Sequence, residues 1–154
     1  MIQFFDSSKR YKQIYDNIET FSIFSCNVYF DPGNTHFKYL IALNEYLIPP
    51  GKGFNMHPHE DIEQLFIMLE GTLFHGDTLG IQGHFAAGSV QAITTGSGYA
   101  RYAINEGSVP CRYLSAWFVP VERRLRPKQT SSIFPDHLFH NTLYPVAAPE
   151  DLPG

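Results

Sequence analysis

Residues 51–63 read Gly51-Lys52-Gly53-Phe54-Asn55-Met56-His57-Pro58-His59-Glu60-Asp61-Ile62-Glu63. In an extended strand alternate side chains share a face, so His57 and His59 project together. Glu63 has the same parity, unless a bend intervenes. Pro58 removes one ladder donor, which suits a strand edge or a bulge near the mouth of a site. Two imidazoles and a carboxylate on the inner face of a barrel form a ligand set for a divalent iron, manganese, nickel or zinc ion. Two surface histidines that happen to flank a proline are an equally common origin for such a pair, and the spacing alone leaves both open.

Outward from this stretch the chain alternates short apolar runs with turn clusters. The runs cover 37–43, 63–69, 89–95, 99–104 and 111–119, and Pro49–Gly53, Glu70-Gly71, Gly76–Gly80 and Thr95–Gly98 punctuate them. β-branched and aromatic runs at this pitch indicate an all-β sandwich or barrel in a single domain. Residues 6–17 and 135–143 read as short amphipathic helices, and the Pro-rich, polar segment 121–154 as a strap or linker following a barrel at 1–120. The 154 residues are 44% apolar and 17% charged, enough to bury a core and too apolar for disorder. The longest wholly apolar run, Leu65 to Leu69, is far short of the ~20 residues of a membrane span. A net charge of −4 argues against nucleic acid as a partner. Without a recognisable leader pattern, Cys26 and Cys111 read as reduced thiols of a cytoplasmic protein.

Gly51, His57, His59 and Glu63 at this spacing resemble the first motif of the cupin superfamily. Further segments narrow the resemblance to the pirin family: PheAspProGly at 30–33, LeuIleAlaLeuAsn at 40–44, ProGlyLysGlyPheAsnMetHisProHis at 50–59 and MetLeuGluGly at 68–71. HisGlyAspThrLeuGly at 75–80, AlaGlySerValGln at 87–91, ThrGlySerGlyTyr at 95–99 and TrpPheValPro at 117–120 continue it, so that it runs in order from about residue 20 to 145. The resemblance implies a cupin fold, a double-stranded β-helix or jelly-roll barrel. It also implies a transition metal held by three histidines and one glutamate, and an activity like that of quercetin 2,3-dioxygenase.

Two departures qualify what the resemblance implies. The second ligand pair of the family comes from a Gly-x-Gly-x-x-His-x-Glu stretch, which here reads Gly96-Ser97-Gly98-Tyr99-Ala100-Arg101-Tyr102-Ala103. Arginine stands in place of the third histidine and alanine in place of the glutamate, and the usual histidine of the second cupin motif is matched by Gln91. A fixed cation beside a divalent ion is unfavourable, whereas its planar fork suits a carboxylate: Glu63 or a bound organic acid. Strand parity turns Arg101 inward; an outward-swung side chain is the alternative. His75 and His84 could substitute as ligands but read better as turn or surface residues, and Tyr99 and Tyr102 as barrel wall. The second departure is length, since pirins resemble a tandem of two barrels and this sequence covers one. Self-association as a homodimer would cover the apolar surface that a second barrel otherwise hides.

The expectation is therefore a pirin-like cupin with a residual metal site: His57 and His59 as ligands, Glu63 as a further ligand or base, Arg101 in the pocket, and an aromatic or organic acid as ligand. A working metal-dependent quercetin 2,3-dioxygenase is one alternative. A metal-free module that binds a small anion or a regulatory partner is the other.

Overall fold

The computed structural model describes residues 5–26 and 28–148 and is built almost wholly of antiparallel strands. These are β1 (Tyr11–Tyr15), β2 (Ile18–Ser22), β3 (Leu40–Ile48), β4 (Gly53–His59), β5 (Glu63–Glu70), β6 (Thr72–Asp77), β7 (Gln82–Ala86), β8 (Ser89–Thr94), β9 (Tyr99–Ile104), β10 (Cys111–Phe118) and β11 (Lys128–Ile133). Seven of them form a sheet in the order β1-β2-β3-β10-β5-β8-β11, and four form a second sheet in the order β4-β9-β6-β7. The core lies between them: Ile48, Phe66, Met68, Ile93 and Tyr113 from the larger sheet meet Leu73, Phe85, Tyr99 and Ala103 from the smaller. Alternation of buried and half-buried positions along β5, β9 and β10 is the period-2 signature of strands with one face on a core. The all-β expectation is met.

Three local readings need correction. Residues 6–17 are not a helix: a 3₁₀ turn at Ser7–Lys9 leads into the β1–β2 hairpin. Asp16 and Asn17 turn this hairpin with φ of 49° and 64°, the left-handed pair that a two-residue hairpin needs. The second expected helix reduces to a 3₁₀ turn at Asp136–Phe139. The segment beyond residue 120 is not only a strap, because β11 pairs with β8 along its whole length and closes that edge of the sheet. Among the described residues no helix is long and apolar enough to cross a membrane.

Candidate binding pocket

The site is organised by an irregularity in β4. Phe54 lies opposite Ala103 on β9 and His57 lies opposite Arg101, so β4 carries one residue more than its partner over this span. The bulge restores parity: Phe54, His57 and His59 share the face that Arg101 and Ala103 present from β9. The strand comes this close to β9 because position 53 is glycine. A Cβ there would sit 2.1 Å from the carbonyl oxygen of Ala103.

These side chains line a cavity of about 180 Å³ together with Tyr46, Phe66, Tyr113, Ser115 and Trp117. Its walls are aromatic: Tyr46 stacks on Tyr113 at 4.9 Å, and Phe54 meets Tyr46 edge-on at 5.6 Å. The His57 and His59 rings stand 4.8 Å apart, and His59 packs edge-on against Trp117 at 5.2 Å. His57 Nδ1 lies 2.7 Å from the carbonyl oxygen of Asn55, in the bulge. A carbonyl only accepts, so Nδ1 carries the proton and Nε2 is left as an acceptor. Burial, with the neighbouring His57 and Arg101, pushes His59 down to about 4, so it is neutral at pH 7. Burial also pushes the Tyr46 hydroxyl up to about 12, which keeps that wall uncharged.

Arg101 is turned inward, as strand parity requires, and is only 4% exposed. Its guanidinium lies over the Phe66 ring, 4.3 Å from the centroid. Among the described residues no carboxylate pairs with it, and its Nη1 is buried without a hydrogen-bond partner. Desolvation lowers its pKa, although an arginine so placed keeps its charge at neutral pH.

Glu63 is not its partner. Asp61, at φ 51°, bends the chain between β4 and β5, and Glu63 emerges on the face opposite the pocket-lining Phe66. There it accepts a hydrogen bond from Thr94 Oγ1 at 2.7 Å. Glu63 is thus not among the residues that line the pocket with His57 and His59, and the buried Gln64 takes the parity of Phe66. His75 also departs from expectation. It sits on the inner face of β6, 4% exposed, and is bonded to the side chain of Gln91 at 2.8 Å. His84 is exposed, as expected, 3.9 Å from Glu106. Sequence reasoning missed Ser115 and Phe54; the alternation Tyr113-Ser115-Trp117 was the signal that could have found the first.

A transition metal does not fit the residues present. His57 and His59 are two donors, but a guanidinium and a methyl group occupy the opposing β9 positions. Among the described residues no group of three His, Cys, Asp or Glu is gathered. Two imidazoles facing a fixed buried cation neither complete a coordination shell nor balance the charge of a divalent ion.

A two-sheet antiparallel barrel with a histidine pair at its mouth defines a cupin. A Klebsiella pneumoniae protein with a double-stranded β-helix domain shares the fold over 86% of this chain and 97% of its own, at a TM-score of 0.55 and 14% identity. The Pirin family model matches residues 5–118, and the chain belongs to that family. It is 33% identical over 112 residues to the quercetin 2,3-dioxygenase of Escherichia coli K12, a span covering 72% of this chain and 48% of the relative. The bacterial pirin YhhW of Escherichia coli, solved in complex with nickel(II), superposes with a TM-score of 0.80 at 29% identity, covering 84% of this chain and 56% of that one. The chain thus spans about half the length of the curated relatives it matches.

Proposed function

We propose that this pirin barrel is a metal-independent binding pocket for a small organic anion, in which Arg101 supplies the positive charge that nickel(II) brings to the related Escherichia coli pirin. One observation carries the reading: a buried guanidinium without a carboxylate partner lines a cavity that already holds two histidines. An unpaired buried charge costs several kcal/mol, and an incoming carboxylate removes that cost while making bidentate hydrogen bonds. His57 Nε2, held as an acceptor, suits a donor group on the ligand, and the aromatic walls suit its apolar body. Any divalent ion is held by His57 and His59 alone, hence weakly.

Turnover of quercetin is not expected. The donor set is short of ligands, and about 180 Å³ is well under the ~300–1,000 Å³ of pockets that enclose larger multi-ring ligands. Calorimetric titration with benzoate, as the simplest aromatic carboxylate, is the test. Binding that disappears in Arg101→Met supports the reading. Tight stoichiometric uptake of Ni²⁺ by the parent chain, or benzoate binding indifferent to Arg101, overturns it. Oxygen uptake with quercetin should stay at the uncatalysed rate.

A further inference from the structure

His57 and Arg101 face each other across β4 and β9, and both side chains line the cavity. Directly opposed residues of an antiparallel pair have their Cβ atoms about 5 Å apart, so the two enter the pocket side by side. Their chemistry is opposite. The guanidinium only donates. The His57 imidazole places its one proton at Nδ1, on the carbonyl oxygen of Asn55 2.7 Å away. What it offers is an acceptor, Nε2, on the edge of the ring turned from that carbonyl. Among the described residues no such bond fixes the tautomer of His59, so His57 is the imidazole whose role is set before any ligand arrives.

Other polar groups of the lining are donors. Ser115 Oγ accepts from Trp117 Nε1 at 2.9 Å, and the Tyr46 hydroxyl accepts from Asn44 Nδ2 at 3.4 Å, so each hydroxyl keeps its own proton to give. A carboxylate takes up such donors together with Arg101 but has no proton for His57. A hydroxyl on the same molecule does, and donates it to Nε2. Because His57 and Arg101 issue from facing positions, that hydroxyl must lie close to the acid, as it does on the carbon that bears the carboxylate. The rest of the molecule is apolar and compact, since Tyr46, Phe54, Tyr113 and Trp117 wall about 180 Å³.

We propose that the ligand is a 2-hydroxy carboxylate carrying one aromatic ring, with its acid on Arg101 and its hydroxyl donated to Nε2 of His57. This rests on the anion reading of the pocket and adds to it the residue that sets specificity. A site built to bond a ligand hydroxyl discriminates against the analogue that lacks it. Acid, hydroxyl and ring are each held by a different part of the wall, so only one enantiomer brings the hydroxyl to Nε2.

Calorimetry on the parent chain, His57→Phe and Arg101→Met compares phenylacetate with the two enantiomers of mandelate, which differ from it by one hydroxyl. One series contains a chelator and a second does not, because 2-hydroxy acids grip stray metal ions. On the parent with chelator, one enantiomer should bind about 10-fold more tightly than phenylacetate, as one well-made hydrogen bond provides. In His57→Phe that ratio should fall to about one, and Arg101→Met should lose all three ligands. Should His57→Phe fail to fold, the ring nitrogens of His57 in the ¹⁵N-labelled parent serve instead. Nδ1 should resonate as a protonated nitrogen and Nε2 as an unprotonated one, and Nε2 should move upfield with the preferred mandelate far more than with phenylacetate. If phenylacetate binds through Arg101 and neither enantiomer binds better, or the preference survives His57→Phe, His57 is not a reader and this proposal falls while the anion pocket stands. An unprotonated Nδ1, or an Nε2 unmoved by mandelate, has the same consequence. A preference seen only without chelator belongs to a bound metal and likewise overturns the proposal. If no acid binds, both proposals fall.

Discussion

At the scale of single residues, Arg101 is the costly one. A buried guanidinium resting on Phe66 without a direct ion pair is the kind of group whose apolar replacement stabilises a protein by about 1–4 kcal/mol. Arg101→Met should therefore raise Tm by roughly 3–10 °C while abolishing carboxylate binding, a trade measurable by calorimetry on one preparation. A lowered Tm would mean that the guanidinium is satisfied in the ligand-free protein. The converse experiment installs the histidine and the glutamate that the family resemblance implies at these positions. Ala103 lines the pocket with His57 and His59, so Arg101→His with Ala103→Glu places four donors there. Affinity for Ni²⁺ should rise by roughly 100-fold or more over the parent. No gain would show that the pocket, not Arg101, excludes the ion. Glu63→Gln should leave ligand affinity unaltered, because the side chain faces Thr94 across the outer side of the sheet.

At the scale of elements, the β4 bulge decides which side chains meet. Without the extra residue, Phe54 and His57 would lie on opposite faces, since an odd separation along a regular strand reverses the side. Gly53 holds that strand against β9, where a Cβ would strike backbone that has no freedom to move. Gly53→Ala should cost more than ~3 kcal/mol or prevent folding, seen as loss of the cooperative thermal transition. β11 has a comparable role at the other end of the large sheet. It covers the edge of β8, and its Gln129 meets the Tyr99 hydroxyl at 2.9 Å. Its composition, Lys-Gln-Thr-Ser-Ser-Ile, is that of an exposed edge strand, and a polar edge strand reads in sequence as a linker. The β1–β2 hairpin was hidden differently. Its Asp16-Asn17 turn is a legible hairpin signal, but Tyr11, Ile14 and Tyr15 also satisfy a helical spacing, and tertiary pairing chose between the two.

At the scale of the whole molecule, the barrel buries imidazoles that it cannot easily protonate. Burial, with His57 and Arg101 close by, holds His59 at about 4, and burial with Arg101 lowers His75 against the opposing pull of Asp77. In the unfolded chain both return to the ordinary value near ~6.5. As pH falls through that value the unfolded state takes up protons before the folded state does, so stability is lost between about 6.5 and 4, whereas above about 7 neither histidine contributes a slope. Urea midpoints measured from pH 7.5 to 4.5 should be level at the upper end and fall below about 6.5. A midpoint independent of pH across that range would show that these imidazoles are protonated in the folded protein.

The all-β class and the inward turn of Arg101 are local matters. They depend on residue type and on a period of two, and the amino-acid sequence determined them unaided. Which of Glu63 and Gln64 turns to the buried face of its strand is not local. Asp61 bends the chain by one left-handed residue, and that single dihedral exchanges Glu63 for Gln64 on the inner face. The bulge in β4, the burial of His75 and the closing of the large sheet by β11 were likewise decided by pairing between distant strands. A strand's register and parity are set by its neighbours, and no residue carries that information alone.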